Sequence, residues 1–331
     1  MNAGRRPFLT AACTVAGIGL FVYVVRRAGA AEILDGIQRV GWGLVIILLL
    51  AGVRFVLRSE CWRLCMPDAA RLPPGRAFRA FLAGDSVGNV TPLGMVASEP
   101  TKVLLSRHHL ATRDAVASLA AENVIYAASV ATMVSMGLLV VLLTVPLTAT
   151  WRWGLGGALV SIAVAVIAGR RLLRGTWDAR RGARPAWREP IAAVRQAVAA
   201  FSEGQANRFR RAYALDLVYH AIAVLEVFLT LRWVLGDRSP SLTQAIAFEA
   251  LNRALVVAFK FVPFRVGVDE ALTGAAAPML ALDPAAGITL AVVRKVRNLF
   301  WTGVGLAIIA AHPAQSASPP ASSGIGPARQ P

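Results

Sequence analysis

Long stretches without charged residues constrain the fold of this chain more than any other feature. Phe8–Val25, Gly41–Val53 and Trp153–Gly169 contain no charge, and Ala115–Ala149 contains only Glu122. Runs of about 18 or more apolar residues are long enough to cross the ~30 Å hydrocarbon core of a bilayer as helices. With 56% apolar residues over 331 positions, the chain is also more hydrophobic than an ordinary soluble domain. We therefore predict an all-α, polytopic helical membrane protein.

The net charge of +17 comes mainly from arginines between the apolar stretches. Cytoplasmic loops of membrane proteins carry an excess of Lys and Arg, so this distribution favours loops at the inner face over a nucleic-acid-binding surface. The strongest such region is 170–211, which carries eleven arginines. We expect a bacterial-type inner (plasma) membrane protein with a cytoplasmic N-terminus and no nucleic-acid partner.

The N-terminal segment resembles a signal peptide but is longer than one. Its apolar run, Phe8–Val25, exceeds the usual length of roughly 7–15 residues, and arginines follow it directly. An uncleaved first transmembrane helix is the better interpretation. The three cysteines, Cys13, Cys61 and Cys65, are odd in number and lack nearby His or acidic partners. We therefore expect no disulfide framework, no metal site and no cofactor.

Hydropathy predicts about seven transmembrane helices. Their approximate bounds are Phe8–Val25, Gly41–Leu57, Asp114–Leu143, Trp151–Gly169, Ala212–Leu235, Leu242–Lys260 and Pro284–Ala310. Ile191–Phe209 is predicted to be an amphipathic helix on the membrane surface. Residues 1–311 form a single integral membrane domain in this interpretation. The Pro-, Ser-, Ala- and Gly-rich residues 312–331 are predicted to be a disordered tail.

Two further segments interrupt what would otherwise be helix, and they share a pattern. In each, a proline is followed within four residues by a glycine, and a glutamate lies seven residues after the proline. Broken backbone at membrane depth is tolerated where it is buried in protein or lines a polar cavity, and paired interruptions point to a transporter's binding site. The residues concerned are Pro92, Gly94 and Glu99 in the first segment and Pro263, Gly267 and Glu270 in the second.

The order of segments occurs twice and predicts a two-fold internal repeat. Its halves are about 8–143 and 212–310, joined by the helix 151–169 and the basic cytoplasmic loop 170–211. Basic flanks on both sides of 77–96 predict a re-entrant hairpin on the cytoplasmic face, with a pair of full spans as the alternative. Two hairpins on one side imply a parallel repeat, whereas a broken segment that spans implies an inverted one. The sequence leaves both arrangements open.

Ionisable residues inside predicted spans are costly and are functional candidates by default. Glu249 and Arg253 are four residues apart with the acid first, which favours an ion pair within one helix. Asp216 and His220 have the same spacing and are expected to satisfy each other. We favour a structural role over substrate contact for these four side chains.

A second group of charges predicts either a buried network between the halves or a substrate site. Arg294 and Arg297 share one face of the last predicted span, while Glu122 and Glu99 carry the opposite charge in the first half. Pairing of these acids with these arginines would close a network between the halves. The sequence favours neither role over the other.

The second interruption has the charge of an anion site. A helix that restarts after such a break presents free backbone N–H groups and the positive end of its dipole. Arg265 stands inside the break, and Lys260 lies three residues before Pro263. A phosphate head group would suit this field. The alternative is that Pro and Gly only kink packed helices.

The sequence contains no nucleophile elbow, Walker loop or metalloprotease motif. A carboxylate-based enzyme stays open through Asp85, Glu99, Asp269 and Glu270, although no pairing among them is visible from their spacing.

Taken together, these motifs resemble the lysylphosphatidylglycerol-synthase transmembrane, or flippase-like, family over about residues 10–311. The segments that carry the resemblance are Asn89-x-x-Pro92-x-Gly94 with Glu99 and Lys102, Ala121-Glu122, Pro263-x-x-x-Gly267-x-x-Glu270, and Arg294-Lys295-Val296-Arg297. Residues 262–270 together with residues 293–297 are most similar to the stand-alone branch that includes hopanoid-biosynthesis-associated membrane proteins.

The resemblance implies a membrane domain that moves lipids or lipid-linked molecules between leaflets. It does not imply aminoacyl transfer, because the synthases carry a large soluble domain after the membrane part and this sequence ends in a short tail. The alternatives are a membrane-embedded transferase that acts on a lipid head group and an accessory subunit of lipid or hopanoid biosynthesis.

The expected site joins basic residues that hold an anionic head group to glutamates that order the broken segments or couple to protons. The basic residues are Lys260, Arg265, Arg294 and Arg297, and the glutamates are Glu99, Glu122 and Glu270. The other expected site residues are Asn89, Pro92, Gly94, Lys102, Pro263, Gly267 and Asp269.

Overall fold

The computed structural model describes residues 38–91, 94–174, 206–236, 238–259, 263–265 and 267–311. Several predicted features lie outside the described residues, namely the span Phe8–Val25, most of the helix Ile191–Phe209, the tail 312–331, Pro92 and Lys260. The described residues are largely helical and contain no strand, so the prediction of an all-α protein is confirmed.

The described residues form nine α-helices and three short 3₁₀ turns. The helices are α1 Gly43–Leu64, α2 Pro74–Val90, α3 Gly94–Ser106, α4 Thr112–Thr144, α5 Ala149–Arg174, α6 Ala206–Leu235, α7 Leu242–Ala258, α8 Val268–Ala276 and α9 Pro284–Ala311. The 3₁₀ turns are Asp68–Ala70, Pro263–Arg265 and Pro278–Leu280.

Helix α1 departs most from its predicted bounds. The sequence predicts an end at Leu57, because Arg58 begins a basic stretch, but the helix continues to Leu64. Arg58 and Trp62 are buried, and Trp62 Nε1 donates a hydrogen bond of 3.0 Å to Ser118 Oγ of α4. The arginine therefore lies inside the helix bundle and does not mark a loop.

The first interrupted segment is a helical hairpin made of α2 and α3. The two helices are antiparallel, because Gly88 lies beside Gly94 while Gly84 lies beside Lys102. A methyl group at Gly88 would lie 2.9 Å from the carbonyl oxygen of Gly94, so the hairpin turn needs residues without side chains at this crossing. The prediction that residues 77–96 are not one clean span is confirmed.

The central pair of the bundle is α1 and α6, which pack antiparallel over most of their length. Gly43 at the start of α1 lies beside Trp233, whereas Cys61 near its end donates to the carbonyl of Ala212. Helices α4, α7 and α9 pack around α6, and the hairpin α2–α3 lies against α9, α1 and α4.

One end of the molecule collects the C-terminus of α1, the start of α2, the start of α4 and the start of α6. An apolar cluster that contains Trp62, Leu72, Ala77 and Leu110 closes this end, and Arg208 pairs with Asp68 across it. We call it the basic end, because arginines surround it. They are Arg63, Arg71, Arg76, Arg79, Arg107, Arg113, Arg208, Arg210 and Arg211.

The opposite end collects the turn after α4, the start of α7 and the turn between α8 and α9. A small open pocket of about 170 Å³ lies there, lined by residues 144–146, by Ser241, Thr243, Gln244 and Ala247, and by residues 279–281. Gln244 Nε2 donates to the carbonyl of Leu280 at 2.8 Å and ties α7 to that turn. The hairpin α2–α3 thus starts and ends at the basic end, whereas α7 starts, and α8 ends, at the opposite end.

The surface and interior of the bundle have the polarity of a membrane protein. Three described helices are long and apolar enough to cross a membrane, namely Thr112–Thr144, Ala149–Arg171 and Asn207–Leu235. Large apolar side chains such as Val45, Leu49 and Leu139 are exposed, while Arg54 and Glu226 are buried. This arrangement suits a hydrocarbon solvent, in which charged groups face the interior of the bundle. The count of seven spans stays a prediction.

Candidate functional site

Buried charged side chains meet at the centre of the bundle, where α1, α6 and α9 come together. Arg54 of α1 donates to Glu226 Oε2 of α6 at 2.8 Å, and Arg297 of α9 donates to the other oxygen of the same carboxylate. All three side chains are at most 9% exposed. Glu226 therefore joins the first half of the chain to its last helix through two arginines.

A second contact uses one arginine for two acids. Arg58 of α1 lies 2.5 Å from Glu122 of α4 and donates to Asp216 of α6 at 3.2 Å. Cys61, one turn further along α1, lies 3.5 Å from the same oxygen of Asp216. We call Arg58, Glu122 and Asp216 the acidic triad, because its formal charge is −1.

A third contact links α7 to α9. Arg253 donates to Glu249 at 2.6 Å within α7, and Arg294 of α9 lies 3.7 Å from the other oxygen of Glu249. Arg294 also donates to the carbonyl of Phe248 at 3.2 Å, and Asn252 donates to Glu249 at 3.2 Å. Glu249, like Glu226, therefore has two arginine neighbours.

Two tyrosines hold the three charge clusters together. The guanidinium of Arg58 lies 3.8 Å from the ring centre of Tyr126, and that of Arg54 lies 4.4 Å from Tyr219. Arg253 donates to both tyrosine hydroxyls at 3.2 Å. Aromatic faces stabilise desolvated cations, so these rings help to keep arginines inside the bundle.

The first interruption lies against α9. Asn89 at the end of α2 donates to Thr302 of α9 at 3.2 Å and to Asp85, one turn back, at 3.4 Å. In α3, Lys102 pairs with Glu99 at 3.0 Å. Gly94 is the first residue of α3 and packs on Gly88, as described above. The predicted residues Asn89, Glu99 and Lys102 are thus brought to one hairpin.

The second interruption contains unusual backbone. Phe264 and Arg265 both have φ near 49°, and Gly267 has φ 83°. Left-handed conformations of residues other than glycine cost of order 1–3 kcal/mol each and persist only where the surroundings hold them. Phe264 is buried, and the turn Pro263–Arg265 contacts α2. The two interruptions therefore share α2 as a neighbour.

Carboxylates already occupy the start of α8, where an anion site was expected. Glu270 accepts a hydrogen bond from the backbone N–H of Gly267 at 2.9 Å and pairs with Lys295 of α9. Arg265 Nε donates to both oxygens of Asp269 at 2.9 and 3.1 Å. Acidic side chains at a helix start satisfy its free N–H groups and its dipole. At this helix start the N–H of Gly267 and the side chain of Arg265 are therefore already paired with acids of α8, and the anion site stays a prediction.

Of the two pairs that were predicted within single helices, one is present in the structure. The pair Glu249 and Arg253 is confirmed. Asp216 and His220 do not satisfy each other, since Asp216 contacts Arg58 and His220 Nε2 contacts Ser129 Oγ at 3.2 Å.

The predicted network between acids of the first half and arginines of α9 takes another form. Glu122 pairs with Arg58 and Glu99 with Lys102, whereas Arg294 and Arg297 pair with acids of the second half. The two halves do meet through charges, but the partners are arginines of α1 and acids of α6. Neither this role of Arg54 and Arg58 nor that of Tyr126 and Tyr219 is among the predictions from the sequence.

The spacing of Arg54 and Arg58 was the available signal. Two arginines four residues apart at the end of an apolar run lie on one helix face, which is unusual for a segment that is leaving the membrane.

Among the described residues, no group of three or more His, Cys, Asp or Glu side chains is arranged to hold a metal ion.

Comparison with known protein families gives one match. The family described as "Lysylphosphatidylglycerol synthase TM region" matches residues 9–305, which is most of the chain and includes both interruptions and all three charge clusters. Comparisons with curated proteins and with solved structures give no significant match. The chain therefore belongs to the lysylphosphatidylglycerol synthase transmembrane-region family, and it is a helical membrane protein related to lipid handling.

Proposed function

We propose that this protein binds a lipid with a charged head group inside the bundle and moves it across the membrane. One observation carries the proposal: hairpins from opposite ends of the molecule bring their turns to the middle of α9. Asn89 beside the first turn contacts Thr302, and Glu270 beside the second contacts Lys295. Those contacts are seven residues apart, about 10 Å along the helix axis, and Arg297 lies between them.

The distribution of arginines supports an orientation for the chain. The basic end faces the cytoplasm in this proposal, since positive loops stay inside. The sequence that joins α5 to α6 adds five arginines, at positions 180, 181, 184, 188 and 195, and it connects helix ends that this orientation places on the cytoplasmic side. A transmembrane Phe8–Val25 segment would then give the expected cytoplasmic N-terminus.

Helix directions favour six full spans and two re-entrant hairpins over seven spans. The described helices that span are α1, α4, α5, α6 and α9, and the sequence predicts the sixth span at Phe8–Val25. The hairpin α2–α3 enters from the basic end, and α7 returns as α8 to the opposite end. The elements α1 to α4 then correspond to α6 to α9 with reversed direction. This is an inverted repeat and not a parallel one.

Matching contacts between the two halves support the inverted repeat. A methyl group at Gly137 of α4 would meet the side chain of Ala250 in α7, and one at Gly305 of α9 would meet that of Ser86 in α2. In each case the next residue that the methyl group would approach lies four positions before the first one, and it does so with its carbonyl oxygen. These residues are Ile246 for Gly137 and Leu82 for Gly305. An α4–α7 crossing and an α9–α2 crossing thus have the same geometry.

The polar residues beside these crossings also correspond. Asp85 directly precedes Ser86 and accepts a hydrogen bond from Asn89, four residues on. Glu249 directly precedes Ala250 and accepts one from Arg253, four residues on. The second half therefore carries a cation where the first half carries an amide. This difference supports head-group binding on the side of Arg253 and Arg294.

In the proposed mechanism, the head group replaces protein carboxylates as the partner of the arginines. Arg294 and Arg297 are each held by a single acid, Glu249 and Glu226 respectively, and those acids also hold arginines of α7 and α1. A phosphate that takes one arginine leaves the acid with its second arginine, so no buried charge is left without a partner. The empty protein and the protein with a bound head group can then have similar interaction energies, which transport between leaflets requires.

Reconstitution tests the proposal. Purified protein is placed in vesicles of phosphatidylethanolamine and phosphatidylglycerol with a trace of fluorescent phosphatidylglycerol, and movement between leaflets is read from quenching by a membrane-impermeant reductant. We expect Arg297→Ala and Glu270→Gln to lower the rate at least about tenfold, which corresponds to about 1.4 kcal/mol.

Arg232→Ala is the matched control, because Arg232 is an exposed arginine near the end of α6 that contacts the carbonyl of Gly236. It should leave the rate unchanged. Membrane insertion and elution volume should be the same for all variants. Normal lipid movement in both site variants, or none in the wild type with any lipid tested, would contradict the proposal.

A further inference from the structure

The acidic triad differs from the other charge clusters in its balance of charge. Glu226 and Glu249 each contact two arginines, so those clusters carry a formal charge of +1. Glu122 and Asp216 share only Arg58. Both acids are 0% exposed, and an uncompensated carboxylate in such a place is expected to neutralise itself by taking a proton.

Unpartnered polar atoms surround the triad. Within the described part of the chain, neither oxygen of Glu122 has a hydrogen-bond donor of suitable geometry, although Arg58 lies close to one of them, and Oδ2 of Asp216 has no donor. His220 is 2% exposed, and its Nδ1 also has no partner among the described residues. Buried polar atoms are normally hydrogen-bonded, so several unpaired ones at one place mark a site that accepts something further.

Charged side chains of three helices face Glu122. They are Arg58 of α1, Glu99 and Lys102 of α3 and Asp216 of α6. The other titratable or charged groups that line this region are Cys61 and Cys65 of α1, Tyr126 of α4, Tyr219 and His220 of α6, Asp85 of α2 and Arg253 of α7. None of them adds a second cation in direct contact with either acid of the triad.

We infer that the acidic triad is the proton-binding site that couples lipid movement to the proton gradient, an inference that rests on the proposed function. Uptake of one proton by Glu122 changes the charge of the triad from −1 to 0. The protonated acid releases part of the hold on Arg58, which lies on α1 between α4 and α6. The packing of α1 against α6 joins the two halves of the chain. The protonation state of the triad therefore changes the strength of this contact, and the halves move relative to each other along it.

Infrared difference spectroscopy of the reconstituted protein tests the site without any transport assay. The wild type should show a protonated carboxyl band that disappears as the pH is raised. Glu122→Gln should lack the band. Asp216→Asn should lack the band too. Either substitution leaves a single carboxylate beside Arg58, and a carboxylate with an arginine of its own stays ionised.

Glu249→Gln is the matched control, since it removes an equally buried carboxylate that already has two arginines. It should keep the band. The inference is overturned if the wild type shows no titrating band, or if the band persists in both triad variants. Elution volume and helical circular dichroism confirm that each variant is folded, and the Asp216 variant decides the test if the Glu122 variant does not fold.

A transport measurement then separates the two proposals. In vesicles with fluorescent phosphatidylglycerol, a pH gradient should change the rate of lipid movement several-fold in the wild type and have no effect in Glu122→Gln. Lipid movement that ignores the pH gradient, or follows a sodium gradient, overturns the coupling and leaves the lipid function standing. A wild type with the titrating band but without lipid movement refutes the proposed function, while the proton site itself is retained.

Discussion

The two-arginine contact of Glu226 gives a prediction whose size can be worked out. Glu226→Gln keeps the shape of the side chain but leaves Arg54 and Arg297 facing each other at a buried position. If only two polar contacts were lost, the cost would be about 1.2 kcal/mol, since such contacts in membrane proteins average about 0.6 kcal/mol. The larger effect is the buried charge left without a partner, which costs about 3–5 kcal/mol when one member of a buried pair is removed.

Arg297→Gln should have a much smaller effect, because Glu226 then keeps Arg54 and the remaining pair is neutral. The double variant Glu226→Gln/Arg297→Gln should lie between the two, since only Arg54 is left unpaired. At about 2 °C per kcal/mol for a chain of this size, Glu226→Gln should lower the midpoint of thermal unfolding by about 6–10 °C. Arg297→Gln should lower it by about 2 °C.

Thermal unfolding of purified protein in one detergent, followed by intrinsic fluorescence, measures these shifts. Glu60→Gln is the control, because Glu60 also pairs with an arginine but is partly exposed, and it should shift the midpoint by less than about 1 °C. The reasoning is refuted if Arg297→Gln destabilises the protein as much as Glu226→Gln, or if Glu226→Gln behaves like the control.

Two further predictions concern packing and pH. Gly305→Leu should weaken the docking of the hairpin α2–α3 on α9, because any side chain at Gly305 would overlap Ser86 and a carbonyl of α2, whereas Gly154→Leu in α5 has open space and should be neutral. Faster protease cleavage of the hairpin in the Gly305 variant alone is the expected result, and equal cleavage of both variants would contradict it. Arg208 lowers the pKa of Asp68 by a hydrogen bond, so this pair stabilises the protein above about pH 4 and loses its effect as the pH falls through the lowered pKa. Asp68→Asn should therefore be less stable than the wild type at neutral pH and equally stable in acid; a difference that grows in acid would show the opposite sign.

Local patterns in the sequence predicted local structure well. The prolines and glycines of the two interruptions correctly indicated breaks, and the spacing of Glu249 and Arg253 correctly indicated an ion pair. Both depend on residues within one or two helical turns, where the backbone geometry is known once a helix is assumed.

Contacts between distant helices could not be read in the same way. Arg58 looks like the start of a cytoplasmic loop, because its partners Glu122 and Asp216 lie 64 and 158 residues away. Whether a charge faces water or a carboxylate depends on the direction and register of helices that the sequence does not specify. The wrong pairing of Glu122 and Glu99 with Arg294 and Arg297 has the same origin.

Helix α5 has a consequence for how such a chain is inserted. It packs along α4, and none of its described side chains is buried, so it adds little to the core of the bundle. On the proposed topology, its main effect is to bring the chain back across the membrane once between the two halves. Both halves can therefore be synthesised in one continuous polypeptide, although they have opposite orientations in the membrane. Without this single crossing, the second half would need to be made as a separate subunit that inserts in the other direction.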